Sequence, residues 1–596
     1  MASSQLYDDV HLRPSFAIKL DGTDMPVGMA DDVLEIVVEQ SIHMPHSCTI
    51  RLHEWDIQKN QFKWVDDDQL KEGKSVEVQF GYTNDLTTIF KGEITMIEMD
   101  AAAHMVPNLV VHCMSKDHRL QRNRVSKTYQ QVTDSDIVQQ VASQCGLTAM
   151  ADSLTTVRDW VCQYNQTNYE FLKMCAHRNG CRMYADGNNL IFEKIKSPSS
   201  VDHEVAWGDS LRSFRPRLTT HGMVSEVDVK GWDMKQKQAI LSRKSSGEGV
   251  KSAEVGESSS GGEAATNAFG DQASHAVVDI PVNTQDEADS IAQAYIDNRE
   301  TSFIGGDGLC VGHPAITAGK TINVKGVGNR FSGKYAITSA THTFTPAEGY
   351  TTQFSSSGKT PNTIPDLLAG ERVNETNMKD WIAIGLVTDN QDPDNLGRIK
   401  VQYPWLMDDT SFWARMASPM AGNNRGIYYL PEVGDEVLVA FEHGDIHSPY
   451  MIGALWNGQD SPVEPNSSAV NGGVVHRVIK TRAGHTIMLD DTNGQELVKV
   501  TSHAGHYVLI DDGNKKIVIA DSAESEKMTI DISSGDVEWV CNGNFKITAN
   551  QKVQIQGQTG IDISTPAQVQ ISGDSSGSFT SSGTISISGS MVNINS

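Results

Sequence analysis

From Val537 onward the chain repeats every eight residues, and this period constrains its fold more than any other feature. One apolar series runs Val537, Phe545, Val553, Ile561, Val569, Gly577 and Ile585. A second, displaced by two, runs Trp539, Ile547, Ile555, Ile563, Ile571, Phe579 and Ile587. Side chains two apart on a strand share a face, so each unit carries one apolar face, and the Gly, Ser, Thr, Asn and Gln between give it nothing to bury that face against. A helix cannot use this period, and a propeller blade needs about 40 residues. Three chains winding together would cover the face, so the expectation is an intertwined trimeric β-helix whose core is these residues, Gly577 excepted. Upstream, from Ile487 through Val498, Val508 and Val518, the spacing is nearer ten, which implies wider or less regular turns. Val592 and Ile594 fall one residue early, a register shift at the end of the repeat.

The remaining sequence reads as several further domains, since 596 residues exceed one ordinary core. VLEIVV at 33–38 and CTIRL at 48–52 alternate as strands do. Thr133 with Asp136, and Thr167 with Glu170, stand at capping-box spacing before helices that Gly146 and Gly180 would stop. Thr284 and Glu287 open a third helix. Residues 244–275 are rich in Ser, Gly, Ala and Glu with almost no large apolar residue, which predicts a flexible insertion. The proline-bearing stretch 355–365 reads as a boundary. Between 381 and 457, IAIGLVTD, GRIKVQYPW, SFWARMAS, GDEVLVAFE and PYMIGALW give five short strands, the pattern of a small OB-type barrel. The fold class is therefore mainly β with an α+β hub: hub barrels within 1–370, an OB barrel at 380–459, a spacer at 460–473 and the β-helical needle at 474–596.

Charge excludes some functions. Against 49 Lys and Arg stand 75 Asp and Glu, a formal charge of −26, so capture of nucleic acid or anionic lipid is disfavoured. The amino terminus lacks a basic segment followed by an apolar run, and no stretch approaches the ~20 apolar residues of a membrane span. Eight scattered cysteines fit reduced, packed thiols made in the cytosol.

VTDNQDPDNLGRIKVQYPWL, SPMAGNNRGIYYLPEVGDEVLVAFEHGD and PYMIGALWNG resemble the OB-domain signature of the VgrG family, the spikes of type VI secretion and related phage-tail-like injection systems. RVIKTRAGHTIMLDDTNGQE resembles the start of that family's needle, and VCQYNQTNYEFLKMCAHRNGCRMYADGNNLIFEK is similar to its hub. The resemblance implies a homotrimer seated on a tube, bound to tube and baseplate proteins at the hub and fired when a sheath contracts. It implies effector cargo and transient contact with a target membrane as further expectations. Only the spacer stands where some tail spikes carry a lysozyme domain, an effector domain after the repeat is not expected, and the last histidine is His506, whereas some spikes bind iron through histidines at the tip. A separate tip protein of the PAAR type is therefore expected, bound through Met591, Val592, Ile594 and Ser596. Hub text such as VEVQFGYTNDLTTIFKGEI leans toward the extracellular, phage-tail-like kind of system, assembled from cytoplasmic protein without a signal peptide.

No enzyme, metal site or cofactor is expected. Ser210 lies in a GDSL string, but no D-x-x-H follows to activate it, and a turn before a strand is the simpler reading. Cys162, Cys175, His177 and Cys181 match no usual zinc spacing, and His43, His46, Cys48 and His53 straddle a turn and a strand. The acidic loop 389–397 lacks the twelfth-position glutamate of a calcium loop, which favours a hairpin turn. A wall-degrading tail enzyme and a trimeric receptor-binding fibre are the competing functions. The first lacks a catalytic insert, and the second does not need the hub.

Overall fold

The computed structural model describes residues 13–83, 85–102, 106–358, 382–406 and 410–594. They fall into two compact units, 1–457 and 458–596. No helix among the described residues is long and apolar enough to cross a membrane. The backbone of the first unit is an eleven-stranded sheet drawn from both ends of the hub. Ser339–Thr345 pairs antiparallel with Val33–Ser41, so that Phe344 stands opposite Ile36 and His342 opposite Val38. The alternation of VLEIVV places Ile36 and Val38 inward against Ile50 and Cys48 of Ser47–His53. Phe80, Leu109, Val111 and Tyr350 fill the same core.

Three helices pack against the smaller sheets of the hub, in cores separate from that of the large sheet, and their ends are where the cap residues put them. Asp134–Gln144 and Asn168–Arg178 each begin with a reciprocal capping box, Thr133 with Asp136 and Thr167 with Glu170. Gly146 and Gly180 follow with positive φ, the left-handed conformation that ends a helix at little cost in glycine. Gln285–Thr301 starts at Thr284, whose hydroxyl accepts the Glu287 amide.

The expected flexible insertion at 244–275 is instead built into the hub. Ala253–Val255 pairs with Gly333–Ala336, Ser274–Val277 lies parallel to Glu226–Asp233, and Gly261–Phe269 is a helix boxed by Ser260 and Glu263. Composition misleads here because the segment packs through backbone rather than through side-chain bulk. The Gly261 and Gly262 amides donate to the buried carboxylate of Glu300, at 2.8 and 3.2 Å. A Cβ on Gly262 would meet the Val224 carbonyl oxygen at 2.2 Å, so only glycine permits this approach.

The small barrel closes in the strand order Lys400–Gln402, Ile382–Asp389, Glu436–Phe441, Pro449–Ala454 and Arg415–Met416. Val387, Val401, Tyr403, Val437 and Val439 fill it, joined by Trp160 and Cys162 from the hub. In the second unit, seven strands from His476–Lys480 to Asp536–Val540 form one antiparallel meander, each strand of five residues. This corrects the reading of the ten-residue spacing: it is a regular hairpin ladder, in which Ile487 opposes Val500 and Val498 opposes Ile510. Among the described residues, 541–594 carry no strand paired within the chain.

If Glu300 anchors the inserted helix, Glu300→Ala leaves two buried amides unpaired and should lower hub stability by about 1–3 kcal/mol for each. Thermal unfolding would show this as a lowered midpoint, and an unchanged midpoint would mean that the helix is held otherwise.

Candidate functional site

Cross-strand pairing in the meander sorts its apolar side chains into two columns. One runs through successive partners Ile479, Ile487, Val500, Val508, Ile519, Met528 and Trp539. The other runs Leu489, Val498, Ile510, Ile517, Ile530 and Val537. Residues two apart on one strand share a face, so the columns lie side by side. On the opposite face Lys499, Thr529 and Glu538 interrupt the apolar residues. The columns end on Val537 and Trp539, where the two octad series begin.

Within one chain most of this face is exposed. Trp539 is 59% exposed, Ile563 72% and Ile571 71%. Val537, Phe545, Ile547, Val553, Ile555, Ile561, Val569, Phe579, Ile585 and Ile587 are likewise exposed, as are Met591, Val592 and Ile594 at the expected tip. Ser596 lies outside the described residues. Isolated exposed apolar residues are ordinary, whereas a contiguous apolar stripe marks an interaction surface.

A second feature sits where hub and barrel meet. A cleft of ≈ 970 Å³ opens there, lined among others by Arg158, Trp160, Tyr295, Lys400, Trp413 and His447. The Trp160 indole donates to the Thr410 carbonyl at 2.9 Å, and the Cys162 amide donates to His447 Nε2 at 3.1 Å. His447 Nδ1 lies 2.6 Å from Asp445 Oδ1, which fixes the ring with Nε2 as acceptor. An Asp–His pair of this kind can activate a nucleophile, but here the acceptor nitrogen is engaged by a backbone amide.

Below the cleft, Asp134 is buried and receives hydrogen bonds from Arg158, Arg178 and Asn179, while Arg158 also meets Glu287 at 3.1 Å. Burial pushes the Asp134 carboxyl up, yet the two guanidiniums outweigh it and hold it below the usual carboxylate range. Nothing in the sequence flagged these groups, because the partners of Asp134 lie 24, 44 and 45 residues away.

Two family models match the chain. Residues 383–456 match the type VI secretion system/phage-baseplate injector OB domain. Residues 11–346, more than half of the chain, match the Alg8 N-terminal domain. The chain belongs to the Alg8 N-terminal domain family. Part of it is also similar to VgrG spike proteins of type VI secretion. Spike protein VgrG1a of Pseudomonas aeruginosa is 33% identical over 112 residues, 17% of either protein. VgrG3 of Vibrio cholerae is 36% identical over 73 residues, covering 11% of this chain and 7% of that one. The chain thus spans less than a fifth of the curated relatives it matches. A chain of the Francisella PdpA–VgrG complex superposes with a TM-score of 0.50 at 10% identity, covering 84% of this chain and 79% of its own length, a likeness of fold.

The other sequence motifs have structural places within this family fold. Ser210 sits in the turn before Leu211–Leu218, and its hydroxyl accepts the Ala206 amide. Cys175 and Cys181 are buried in the helical core, and burial pushes the Cys175 thiol up to about 12. Cys162 joins the barrel core and His177 meets Tyr295 edge-on. His46 and Cys48 are buried, and His53 lies 3.8 Å from Asp32. Among the described residues, no group of three His, Cys, Asp or Glu side chains is arranged to hold a metal ion. In the acidic loop Asp392 takes the Asp394, Leu396 and Arg398 amides and the Arg398 guanidinium, so a built-in cation occupies its carboxylate.

Asp134→Ala should cost about 3–5 kcal/mol in a urea melt, because it leaves the Arg178 guanidinium without its carboxylate and Arg158 with Glu287 alone. Since its folded pKa is depressed, the Asp134 contribution is full above the ordinary carboxylate range and fades as pH falls through it, so the gap between variant and parent should shrink in acid. A gap that persisted at low pH would count against the charge pairing.

Proposed function

We propose that this chain is the non-enzymatic spike and hub of a contractile injection system, working as a homotrimer. The observation that carries the reading is the two-column apolar face of the meander, most of which a single chain leaves exposed, followed by the exposed octad residues as far as Ile587. Three copies turned inward would bury it, each side chain contributing ~1.5–3 kcal/mol, and would form a stiff rod because bending must break many contacts at once. Residues 1–370 then form the platform that docks on tube and baseplate proteins, 380–459 the barrel neck, 460–473 the spacer and 474–596 the needle. Contraction of a sheath would drive this needle through the target envelope, with effector cargo carried at the hub. The relatives that part of the chain matches are themselves spike proteins, which supports a mechanical rather than catalytic role. Particles built from it would be phage-tail-like.

At the far end a PAAR-type tip protein would cap Met591, Val592, Ile594 and Ser596. Beyond Lys552 the chain has no Lys or Arg and only two acids, Asp562 and Asp574, so little charge opposes association there. The early register of Val592 and Ile594 re-aims those side chains toward such a partner.

Mass measurement of the purified protein should give a trimer, and Ile563→Asp should abolish its heat resistance, because threefold symmetry places three carboxylates around one axis. A stable monomer, or an Ile563→Asp trimer as robust as the parent, would overturn the proposal. Truncation after Gly589 should abolish tip-protein binding and leave the trimer intact; unchanged capture would show that the last residues do not form the tip interface.

A further inference from the structure

Histidines from separate segments of the hub form one contact network. His203 opens the edge strand His203–Ala206, which pairs only with Thr321–Lys325 among the described strands. His313 follows Ile304–Val311 of the eleven-stranded sheet. Their rings stack with centroids 3.7 Å apart and planes 17° from parallel. The Ala315 amide donates to His313 Nδ1 at 3.2 Å, so that nitrogen serves as acceptor and its protonation would break the bond.

From His313 the network runs inward. Its amide donates to Thr352 Oγ1, which lies 3.2 Å from His342 Nδ1, and that nitrogen is 2.7 Å from the Tyr350 hydroxyl. The Gly312 amide donates to the Tyr350 carbonyl, and the Tyr82 hydroxyl to the Gly312 carbonyl. His342, Thr352 and Tyr350 are fully buried. Charge placed on the stack is therefore felt by the loop, the core histidine and the sheet together.

We propose that the His203–His313 stack is an acid-operated latch: neutral imidazoles join the edge strand to the large sheet, and double protonation parts them. Burial and the neighbouring His313 pull His203 down to about 4, and burial lowers His313 as well. Burial holds His342 at about 3 and His46 at about 4. Opposing charges on the surrounding elements are few. Glu204 favours protonated His203, but its carboxylate is already held by Lys325 and Asn323. Asp186 acts in the same sense on His46. His342 meets the Ile316 carbonyl, which favours its charged form, and the charges of His313 and His46, which oppose it.

Because these folded pKa values lie below the ordinary histidine value of 6.5, the unfolded chain binds protons first. The stabilisation is full above that value and is lost as pH falls from there toward about 4. His476 in the second unit has the opposite sign: Glu464 and then Asp490 raise its pKa, so its clamp on the spacer persists where the hub latch weakens.

Hydrogen exchange on the full-length protein, corrected for intrinsic rates, tests this. Between pH values of about 7.5 and 5, protection at 203–206, 312–316 and 321–325 should fall by about tenfold while strands 486–540 keep theirs. The double variant His203→Phe with His313→Phe keeps stacked rings without a titrating proton and should hold its protection in acid. Wild-type protection that does not change, or an equal loss in the double variant, overturns the latch. Should that variant fail to fold, His203→Gln decides: an opening midpoint lowered by about half a pH unit or more supports the proposal, and an unmoved midpoint overturns it.

Discussion

Each strand of the meander past the first places two apolar side chains on one face, and most of them stay exposed within the chain. That pair dictates much of the second unit. The two columns stay aligned only if every hairpin keeps its register, because a slip of one residue would turn a whole strand's pair to the other side. The turns enforce this. At alternate turns the aspartate ending a strand accepts backbone amides: Asp490 from Thr492, Asp511 from Asn514, Asp531 from Ser533 and Ser534. Gly494, Gly505 and Gly535 take the positive φ that tight reversals require, and Lys515 and Glu524 accept the same conformation without being glycine. Turn chemistry thus serves packing that lies elsewhere.

The first unit solves the converse problem, holding charge inside. Asp134 and Glu300 are both nearly inaccessible, and each is met by several donors from distant segments. Unpaired burial of either carboxylate would be expensive, so the donors specify which segments must come together. Glu300 fastens the inserted helix to the end of Gln285–Thr301, and Asp134 ties two more helices to the cleft wall. Hub and barrel share one apolar cluster through Trp160 and Cys162, with His447 closing the seam.

What could be read from sequence was local, and what could not was distant. Capping boxes at Thr133 and Thr167 lie within four residues, and both form. Barrel strands announced themselves by alternation between glycine and proline turns. The 244–275 segment was misread because its order depends on Glu300, about forty residues on, and on glycines whose value is closeness rather than bulk. Asp134 escaped notice for the same reason. In the acidic loop the hairpin is legible, and so is its cation, since Arg398 directly follows DNLG and bonds Asp392. His203 and His313 are separated by 110 positions, and no pattern in either neighbourhood suggests that their rings stack.

The change of period at Trp539 has a physical meaning of its own. In a reversing chain, a face residue lies alternately near and far from the next turn, so partners along one column are unevenly spaced. Leu489, Val498, Ile510, Ile517, Ile530 and Val537 show this, with long and short steps in alternation. The octads do not alternate: Val537, Phe545, Val553, Ile561 and Val569 advance by the same eight every time. Equal steps relate each unit to the next by one repeated operation, which is a screw rather than a reversal. A single chain on a screw of such short units has no neighbouring strand of its own to pair with, and two further copies on the same axis would supply one. The shift from uneven to even spacing therefore fits a needle that begins as meanders of single chains and continues as a shared winding, with the same two columns facing the axis throughout.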